Sequence, residues 1–160
     1  LRIAEVLVAL DYLHGKDILY LGLSRNSLLL DYKGHVRLSN FAFSQRLPIA
    51  SSAVLKPLLA STTKEGIAPE ILAGQLPTAA SDVWSIGALL ASMLSPNKPL
   101  SEWQTAELSD LDKSVLSILL TDDPSKRPTI TALKTHAYFV GIVWDALTAA
   151  AASPTDVPAS

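Results

Sequence analysis

One stretch of the chain, residues 79–94, is apolar on nearly every face of the helix that its spacing predicts. Its sequence, AASDVWSIGALLASML, places large apolar side chains at three- and four-residue steps along its whole length. We expect a helix over Ala79–Leu94 with Ser81 as its N-cap. Because such a helix has to be covered from several sides, it predicts a domain built around one central buried helix.

Further amphipathic patterns predict shorter helices around this one. In Leu1–His14 the apolar residues recur at helical steps, and Gly15 follows as the expected C-terminal cap. Leu108–Leu120 has the same pattern, with Ser109 or Asp110 as its N-cap. The remaining predicted helices are Ile67–Leu72 and Thr129–Lys134.

A β-hairpin is predicted between the first two helices. The apolar run Leu28–Leu30 is followed by a turn that contains Gly34, and then by His35–Leu38, in which polar and apolar residues alternate. The segments Leu21–Ser27 and Ser39–Ala42 would leave the hairpin at the same end, so their residues can converge on one site. The predicted fold class is therefore α+β, mainly α-helical, with a small β-hairpin.

Two segments show no periodicity. Phe43–Glu65 is rich in Ser and Thr and is predicted to be a long loop, of the kind that tends to be functional or mobile. The tail from Thr148 to Ser160 consists mostly of Ala, Ser and Pro and is expected to be disordered, since it has too little apolar surface to order itself. We therefore expect one folded domain over residues 1–147 and a disordered tail over 148–160.

Composition excludes several classes of function. A net charge of −2 favours neither nucleic acid nor an anionic membrane as a partner, and the absence of Cys excludes a disulfide framework. His14, His35 and His136 are far apart, so no metal site is expected from them. The nearly apolar run Ile86–Leu94 is much shorter than the roughly 20 residues of a membrane span. Because Leu1 already lies within an apolar periodic pattern, we expect the chain to be a fragment of a longer protein.

Several short motifs, in order, resemble the C-terminal lobe of a eukaryotic serine/threonine protein kinase. They are Ala68-Pro69-Glu70, the DVWSIG of Asp82–Gly87, the DPSKRP of Asp123–Pro128 and the closing HAYFVGIVWDAL of His136–Leu147, which is similar to the A, G and C group. The resemblance covers Leu1 to about Leu147. It implies a kinase C-lobe fold, with the glycine-rich N-terminal lobe absent from this chain.

The same resemblance implies that the catalytic loop is degenerate. Active members carry there a His or Tyr, an arginine, the catalytic-base aspartate, then leucine, lysine, proline, glutamate and a metal-binding asparagine. In this chain residues 20–27 read YLGLSRNS, so Gly22 replaces the base, Ser24 the lysine and Ser27 the metal ligand. The Asp-Phe-Gly motif of the family is Asn40-Phe41-Ala42, and Asn40 offers a neutral oxygen where magnesium prefers an anion.

Other matched positions are retained and have structural roles in the family. Asp82 is implied to accept hydrogen bonds from the catalytic-loop backbone, while Tyr20 and Phe41 stack in an internal apolar column. Leu29 corresponds to a leucine that packs under adenine in the nucleotide pocket. Glu70 and Arg127 match a buried ion pair that ties the Ala-Pro-Glu segment to a later helix in the family.

The phosphate-regulated loop of the family is also altered. In active kinases a phosphorylated side chain in this loop pairs with the arginine beside the catalytic aspartate. That arginine is Leu21 here, so an ordinary Ser/Thr-rich loop is favoured over regulation by phosphate. The Ser and Thr residues concerned are Ser44, Ser51, Ser52, Ser61, Thr62 and Thr63.

The leading hypothesis is a pseudokinase-like domain that binds other proteins and does not transfer phosphate. No cofactor or metal is expected, although Mg-ATP is the cofactor of the family, and the expected partner is a protein or a separate N-lobe. The expected compartment is cytoplasmic or nuclear. The first alternative is an active ATP-dependent kinase truncated by its gene model, and the second is a remnant without a selected partner.

Overall fold

The computed structural model describes residues 2–61 and 64–152, and helices form most of this part of the chain. Among the described residues no helix combines the length and apolar character needed to cross a membrane. The α-helices are α1 (Arg2–Gly15), α2 (Leu55–Ser61), α3 (Pro69–Leu72), α4 (Ala79–Leu94), α5 (Asp110–Leu119), α6 (Ile130–Leu133) and α7 (Trp144–Ala152). Short 3-10 turns lie at Arg25–Ser27, Ser52–Val54, Lys64–Gly66, Leu100–Thr105, Pro124–Lys126 and Ala137–Phe139.

The strands of the described residues are two or three residues long and form two antiparallel pairs. One pair joins β1 (Ile18–Leu19) to β4 (Gln45–Arg46), and the other joins β2 (Leu28–Leu30) to β3 (Val36–Leu38). Short strand pairs attached to a helical body confirm the predicted α+β, mainly α-helical fold class.

Helix α4 lies at the centre of the core, as its apolar composition predicts. Val83 and Ile86 are almost completely buried, and the larger apolar cluster joins α4 to α1, α5 and α6. A smaller cluster lies along β1, α2 and α3. Each fully buried Val or Ile contributes roughly 1.5 to 3 kcal/mol relative to an exposed one, so the buried face of α4 contributes strongly to stability.

The caps of α1 and α4 differ from the sequence-based predictions. Helix α4 begins after Thr78, and Ser81 stands at the third helical position, so the prediction of Ser81 as N-cap is wrong. The Ser81 hydroxyl accepts a hydrogen bond from the Thr78 amide (3.1 Å), as in a capping box, which lets the helix begin earlier. Gly15 is the last residue of α1 rather than its cap, and the left-handed residue is Asp17 (φ 57°), a residue type that tolerates this conformation.

The predicted hairpin is present. Leu28 pairs with Leu38 and Leu30 with Val36, and Gly34 adopts φ 81° in the turn. The amide of Ser39 donates to the carbonyl of Ser27 (2.8 Å), which extends the pairing by one step toward the open end of the hairpin. The two flanking segments therefore leave the hairpin together.

The segment Phe43–Glu65 is not the structureless loop that its sequence predicts. It contains β4, a 3-10 turn capped by the Ser51 hydroxyl, and α2. Leu55 and Leu58 of α2 are buried in the smaller apolar cluster. Burial of these side chains against distant residues orders the segment, and such contacts are not visible as local periodicity. Residues 62–63 lie outside the described residues.

Helix α7 continues into the predicted disordered tail. It ends at Ala152, so residues 148–152 are helical. The Arg37 guanidinium donates to the carbonyls of Ala151 (2.9 Å) and Ala150 (3.4 Å), which satisfies carbonyls that a helix end leaves without partners. The remaining residues of the predicted tail, 153–160, lie outside the described residues, as does Leu1.

Gly87 allows helices α4 and α5 to approach each other. A Cβ atom at this position would lie 2.9 Å from the Cβ of Leu119 and 2.8 Å from a terminal carbon of Leu120. We expect Gly87→Ala to lower the free energy of unfolding by about 1 to 2 kcal/mol, because overpacking outweighs the gain in helix propensity. Urea unfolding followed by circular dichroism measures this change.

The matched control is Gly15→Ala, at the open end of α1. A Cβ atom there would meet nothing within 4 Å, so this variant should be unchanged or slightly more stable. Equal effects of the two alanines would contradict the packing explanation.

Candidate active site

The segments on either side of the hairpin converge, as their connection to it predicts. The Tyr20 hydroxyl donates to the Ser39 carbonyl, and the Ser39 hydroxyl donates to the Ser27 carbonyl (3.2 Å). The rings of Tyr20 and Phe41 meet edge to face, with their centroids 5.2 Å apart. Burial raises the pKa of Tyr20 and the nearby Asp82 charge adds to this, although Ser27 lowers it in part, so the hydroxyl stays protonated and acts as a donor. These contacts thus hold the two segments together.

Asp82 anchors the first of these segments to the central helix. One carboxylate oxygen accepts a hydrogen bond from the Leu21 amide (2.8 Å), and the other lies 2.9 Å from the Tyr20 amide and 2.8 Å from Nε2 of His14. The side chain is completely buried. The backbone contacts that the kinase resemblance implies for Asp82 are therefore present, and the contact with His14 is an additional one that the sequence did not reveal.

Leu21 has a strained backbone. Its φ of 59° lies in the left-handed region, which bulky side chains rarely adopt, and its side chain is buried in the smaller apolar cluster. Such a conformation costs about 1 to 3 kcal/mol and persists only where the surroundings enforce it. Asp82 supplies that enforcement from the backbone side, since it holds the amides of Tyr20 and Leu21.

Gly22, at the position of the catalytic base in the resemblance, lies close to the segment that follows the hairpin. A Cβ atom at Gly22 would lie 3.2 Å from Cδ2 of Phe43 and 3.8 Å from the carbonyl oxygen of Asn40. The first of these distances is tighter than an ordinary contact. Without a side chain, Gly22 offers no group that could accept a proton.

Ser24 and Ser27 bond to each other. The Ser27 hydroxyl donates to the Ser24 carbonyl (2.8 Å) and accepts from the Ser24 amide (2.9 Å), and Ser27 is buried. This hydroxyl closes a 3-10 turn over Arg25–Ser27 rather than facing an open site. Arg25 is the one charged residue in the sequence of residues 22–27.

Asn40 also uses its side chain locally. It is exposed and left-handed (φ 58°), and its Oδ1 lies 3.4 Å from the amide of Ala42. Asn is one of the few residues that adopt this conformation at low cost. The side chain is neutral, so it brings no charge to the position where the family binds a metal ion.

Asp31 is a carboxylate four residues after Ser27, but it belongs to the hairpin turn. It accepts hydrogen bonds from the amides of Lys33 (2.9 Å) and His35 (3.0 Å) and pairs with Arg37 (3.0 Å). Desolvation raises the pKa of Asp31, but these hydrogen bonds outweigh it and hold the pKa below its usual value. Asp31 is therefore an engaged anion at the closed end of the hairpin, opposite to Gly22.

Glu70 and Arg127 form a buried bidentate ion pair. The two guanidinium nitrogens of Arg127 each donate to a different oxygen of Glu70 at 2.8 Å, and the Ser81 hydroxyl donates to the same carboxylate (2.9 Å). Burial acts to raise the pKa of Glu70, but the hydrogen bonds from Arg127 and Ser81 lower it by more than burial raises it. The pKa of Glu70 therefore lies below its usual value. The pair ties α3 to α4 and to the turn that follows α5.

Arg127 has further partners that the sequence did not indicate. Its guanidinium donates to the carbonyls of Thr121 (2.8 Å), Ala80 (2.9 Å) and Asp122 (3.1 Å), and it lies over the ring of Trp84 at 5.2 Å. Every donor of this buried cation is thus directed at an acceptor, which is the condition under which burying a charge is tolerated.

Glu5 was missed by the sequence analysis. Its carboxylate accepts from the Val36 amide (3.0 Å) and lies 2.7 Å from Nδ1 of His35, so it fixes the hairpin on α1. The sequence shows only that Glu5 lies among apolar residues in the first turn of this helix. An acidic residue on the exposed face of the helix would give the same pattern.

An apolar surface is exposed beside the site. Leu29, at the predicted nucleotide-pocket position, is 56% exposed, and Tyr12 and Phe41 are 66% and 49% exposed. Tyr12 and Phe41 line a groove of about 930 Å³ between α1, β3 and α7. Two large aromatic side chains are therefore exposed along one groove beside the hairpin.

Comparisons with known proteins agree with this geometry. A family model described as a protein kinase domain matches residues 2–139. The chain is 35% identical to 3-phosphoinositide-dependent protein kinase B of Dictyostelium discoideum over 87% of its own length and 17% of that protein. It is 28% identical to the cAMP-dependent protein kinase catalytic subunit PRKX of Mus musculus, over 96% of the chain and 47% of the relative. It is 32% identical to protein kinase C delta type of Homo sapiens, over 90% and 23%. The chain thus spans less than half of each of these relatives.

Proposed function

Because this chain belongs to the protein kinase domain family, and to its A, G and C group of serine/threonine kinases, we propose that it is a pseudokinase-like domain. In this proposal it binds other proteins and does not transfer phosphate. The observation that carries the proposal is a contrast between two sets of residues. The groups that hold the site together are retained and bonded, whereas the groups that would act on metal-bound phosphate are replaced.

The replaced groups remove the chemistry of phosphoryl transfer. This reaction depends on positioning and on charge stabilisation around metal-bound phosphates. Gly22 cannot orient or deprotonate a hydroxyl, and Ser24 brings no positive charge. Ser27 lacks the amide oxygen of the metal-binding asparagine, and Asn40 brings no anion. Loss of one such group costs about two to four powers of ten in rate, and such losses within one catalytic unit do not simply add.

Two carboxylates that could be considered as substitutes, Asp82 and Asp31, are engaged elsewhere. Asp82 is buried and its two oxygens already accept from two backbone amides and contact His14. Asp31 lies at the turn of the hairpin and is engaged by Arg37. The internal bonding of Ser24 and Ser27 also supports the proposal, since a hydroxyl that closes a turn is not free to bind a metal ion.

The retained groups support a binding role. Asp82 holds the backbone of Tyr20 and Leu21 on α4, and the Glu70–Arg127 pair ties α3 to α4. The groove lined by the exposed side chains of Tyr12 and Phe41 is the face that we propose for a protein partner, such as a separately supplied N-lobe, and Leu29 is exposed as well. The activity and partners of the longer protein that contains this domain are part of the same proposal.

A phosphotransfer assay tests the proposal. The full-length product that contains this chain is incubated with radiolabelled ATP, Mg²⁺ and a generic protein substrate, and is compared with an Asn40→Gly variant. Glycine removes the side-chain oxygen but accepts φ 58°, so the variant keeps its backbone. We expect the two proteins to be indistinguishable at background level. Turnover in the parent that disappears in Asn40→Gly would refute the proposal.

A further inference from the structure

We propose that Leu21 acts as an apolar latch that keeps the segment 43–61 folded against the domain without any phosphate. This inference goes beyond the proposed function, since it concerns how the segment is ordered rather than whether phosphate is transferred. The observation behind it is that Leu21 combines a strained backbone with a buried side chain.

The side chain of Leu21 contributes to the apolar cluster that contains α2. Leu19 and Leu21 are both buried, and both belong to the smaller apolar cluster. Leu55 and Leu58 of α2 belong to the same cluster. The helix α2 is only seven residues long and is far too short to be stable alone in water, so these contacts are what keep it folded.

The rest of the segment follows the same stretch of chain. The Leu47 amide donates to the carbonyl of Asp17 (2.8 Å), and β4 pairs with β1. The Ser44 hydroxyl donates to the carbonyl of Tyr20 (3.3 Å). Residues 17–21 are therefore a continuous support for the segment, with Leu21 at the end that meets α2.

Asp82 couples this support to the core. It holds the Leu21 amide at 2.8 Å and thereby stabilises the left-handed backbone at the residue whose side chain enters the cluster. Two interactions of Leu21 offset the cost of its strained backbone. The Asp82 carboxylate holds its amide, and the smaller apolar cluster surrounds its side chain. Leu21 is thus a positioning residue for the segment and not a catalytic one.

The chemistry of this contact differs from that of an arginine at the same position. An arginine can pair with a phosphorylated side chain, and its contact then depends on the modification. A buried leucine forms no such pair, and its burial requires no modification. The order of the segment is therefore built into the sequence and is not switched by phosphorylation of its Ser and Thr residues.

Hydrogen exchange followed by mass spectrometry tests the latch, with the amides of residues 53–61 as the reporter and those of α4 as the internal reference. Leu58→Ala removes a side chain that is 2% exposed, whereas the matched control Leu59→Ala removes its neighbour, which is 41% exposed. We expect Leu58→Ala to lower protection of the reporter at least about tenfold and Leu59→Ala to leave it unchanged. Leu21→Arg should lower it to a similar extent, with α4 still protected.

The phosphate-independent part is tested on the parent protein before and after phosphatase treatment, and the protection of residues 53–61 should be identical. Three results would overturn the proposal: protection that falls on phosphatase treatment, unchanged protection in Leu21→Arg, or an equal loss in α4 and the reporter. None of these readouts depends on phosphotransfer, so failure of the latch and failure of the proposed function are distinguishable.

Discussion

Arg127→Met should lower the free energy of unfolding by about 3 to 5 kcal/mol, because it leaves the Glu70 carboxylate buried without its cation. Three carbonyls that now accept from Arg127 would also lose a donor. The remaining partner of Glu70, the Ser81 hydroxyl, donates one hydrogen bond and carries no charge. Chemical denaturation at neutral pH measures the loss.

The double variant Glu70→Leu/Arg127→Met separates the penalty of an unpaired charge from the contribution of the pair. Replacing both partners removes the uncompensated carboxylate, so the double variant should lose less than the sum of the two single losses. The control is Lys134→Met, which breaks the Lys134–Asp11 pair, whose side chains are 19% and 35% exposed. Because both side chains keep some contact with solvent, this pair should contribute no more than about 1 kcal/mol. A loss for Arg127→Met as small as that of the control would contradict the role assigned to the buried pair.

The same pair predicts a dependence on pH. Because the pKa of Glu70 is lower in the folded protein than its ordinary value of 4.5, its carboxylate contributes stability that is fully present above that value. This contribution is lost as pH falls below 4.5 and through the folded pKa. The parent should therefore lose stability more steeply over that range than the double variant does.

Elements with a strong local pattern were predicted from the sequence, and elements that depend on distant contacts were not. The continuous apolar surface of Ala79–Leu94 indicated the central helix, and the alternation around Gly34 indicated the hairpin. Helix α2 was missed because its sequence, LKPLLAS, is too short for helical periodicity and contains Pro57. Its burial depends on Leu19 and Leu21, which lie more than thirty residues away in the chain.

The candidate site shows the same division. The identity of Gly22, Ser24, Ser27 and Asn40 could be read directly from the motif order, because the missing side chains are a property of the sequence alone. The left-handed backbone of Leu21 could not be predicted from the sequence, because leucine has no local preference for this conformation. That conformation follows from Asp82, which lies 61 residues further along the chain.

Asp82 should therefore be the residue whose replacement has the widest consequences. In Asp82→Asn one carboxylate oxygen becomes an amide NH₂ group, which would face a backbone amide donor of Tyr20 or Leu21 or the His14 ring. A buried donor left without an acceptor costs about 1 to 3 kcal/mol, and the lost charge weakens the remaining hydrogen bonds. The strained backbone of Leu21 also loses its support. We expect a loss of at least about 3 kcal/mol, measured by thermal and urea unfolding.

The matched control for Asp82→Asn is Asp145→Asn, the same chemical change at an exposed position in the first turn of α7. An exposed carboxylate near a helix N-terminus contributes about 0.3 to 1 kcal/mol, so the control should change little. If Asp82 holds Leu21 in its left-handed conformation, hydrogen exchange in Asp82→Asn should also increase in residues 53–61 before it increases in α4. Equal stability of the two asparagine variants would show that the backbone of residues 20–21 is held by something other than this carboxylate.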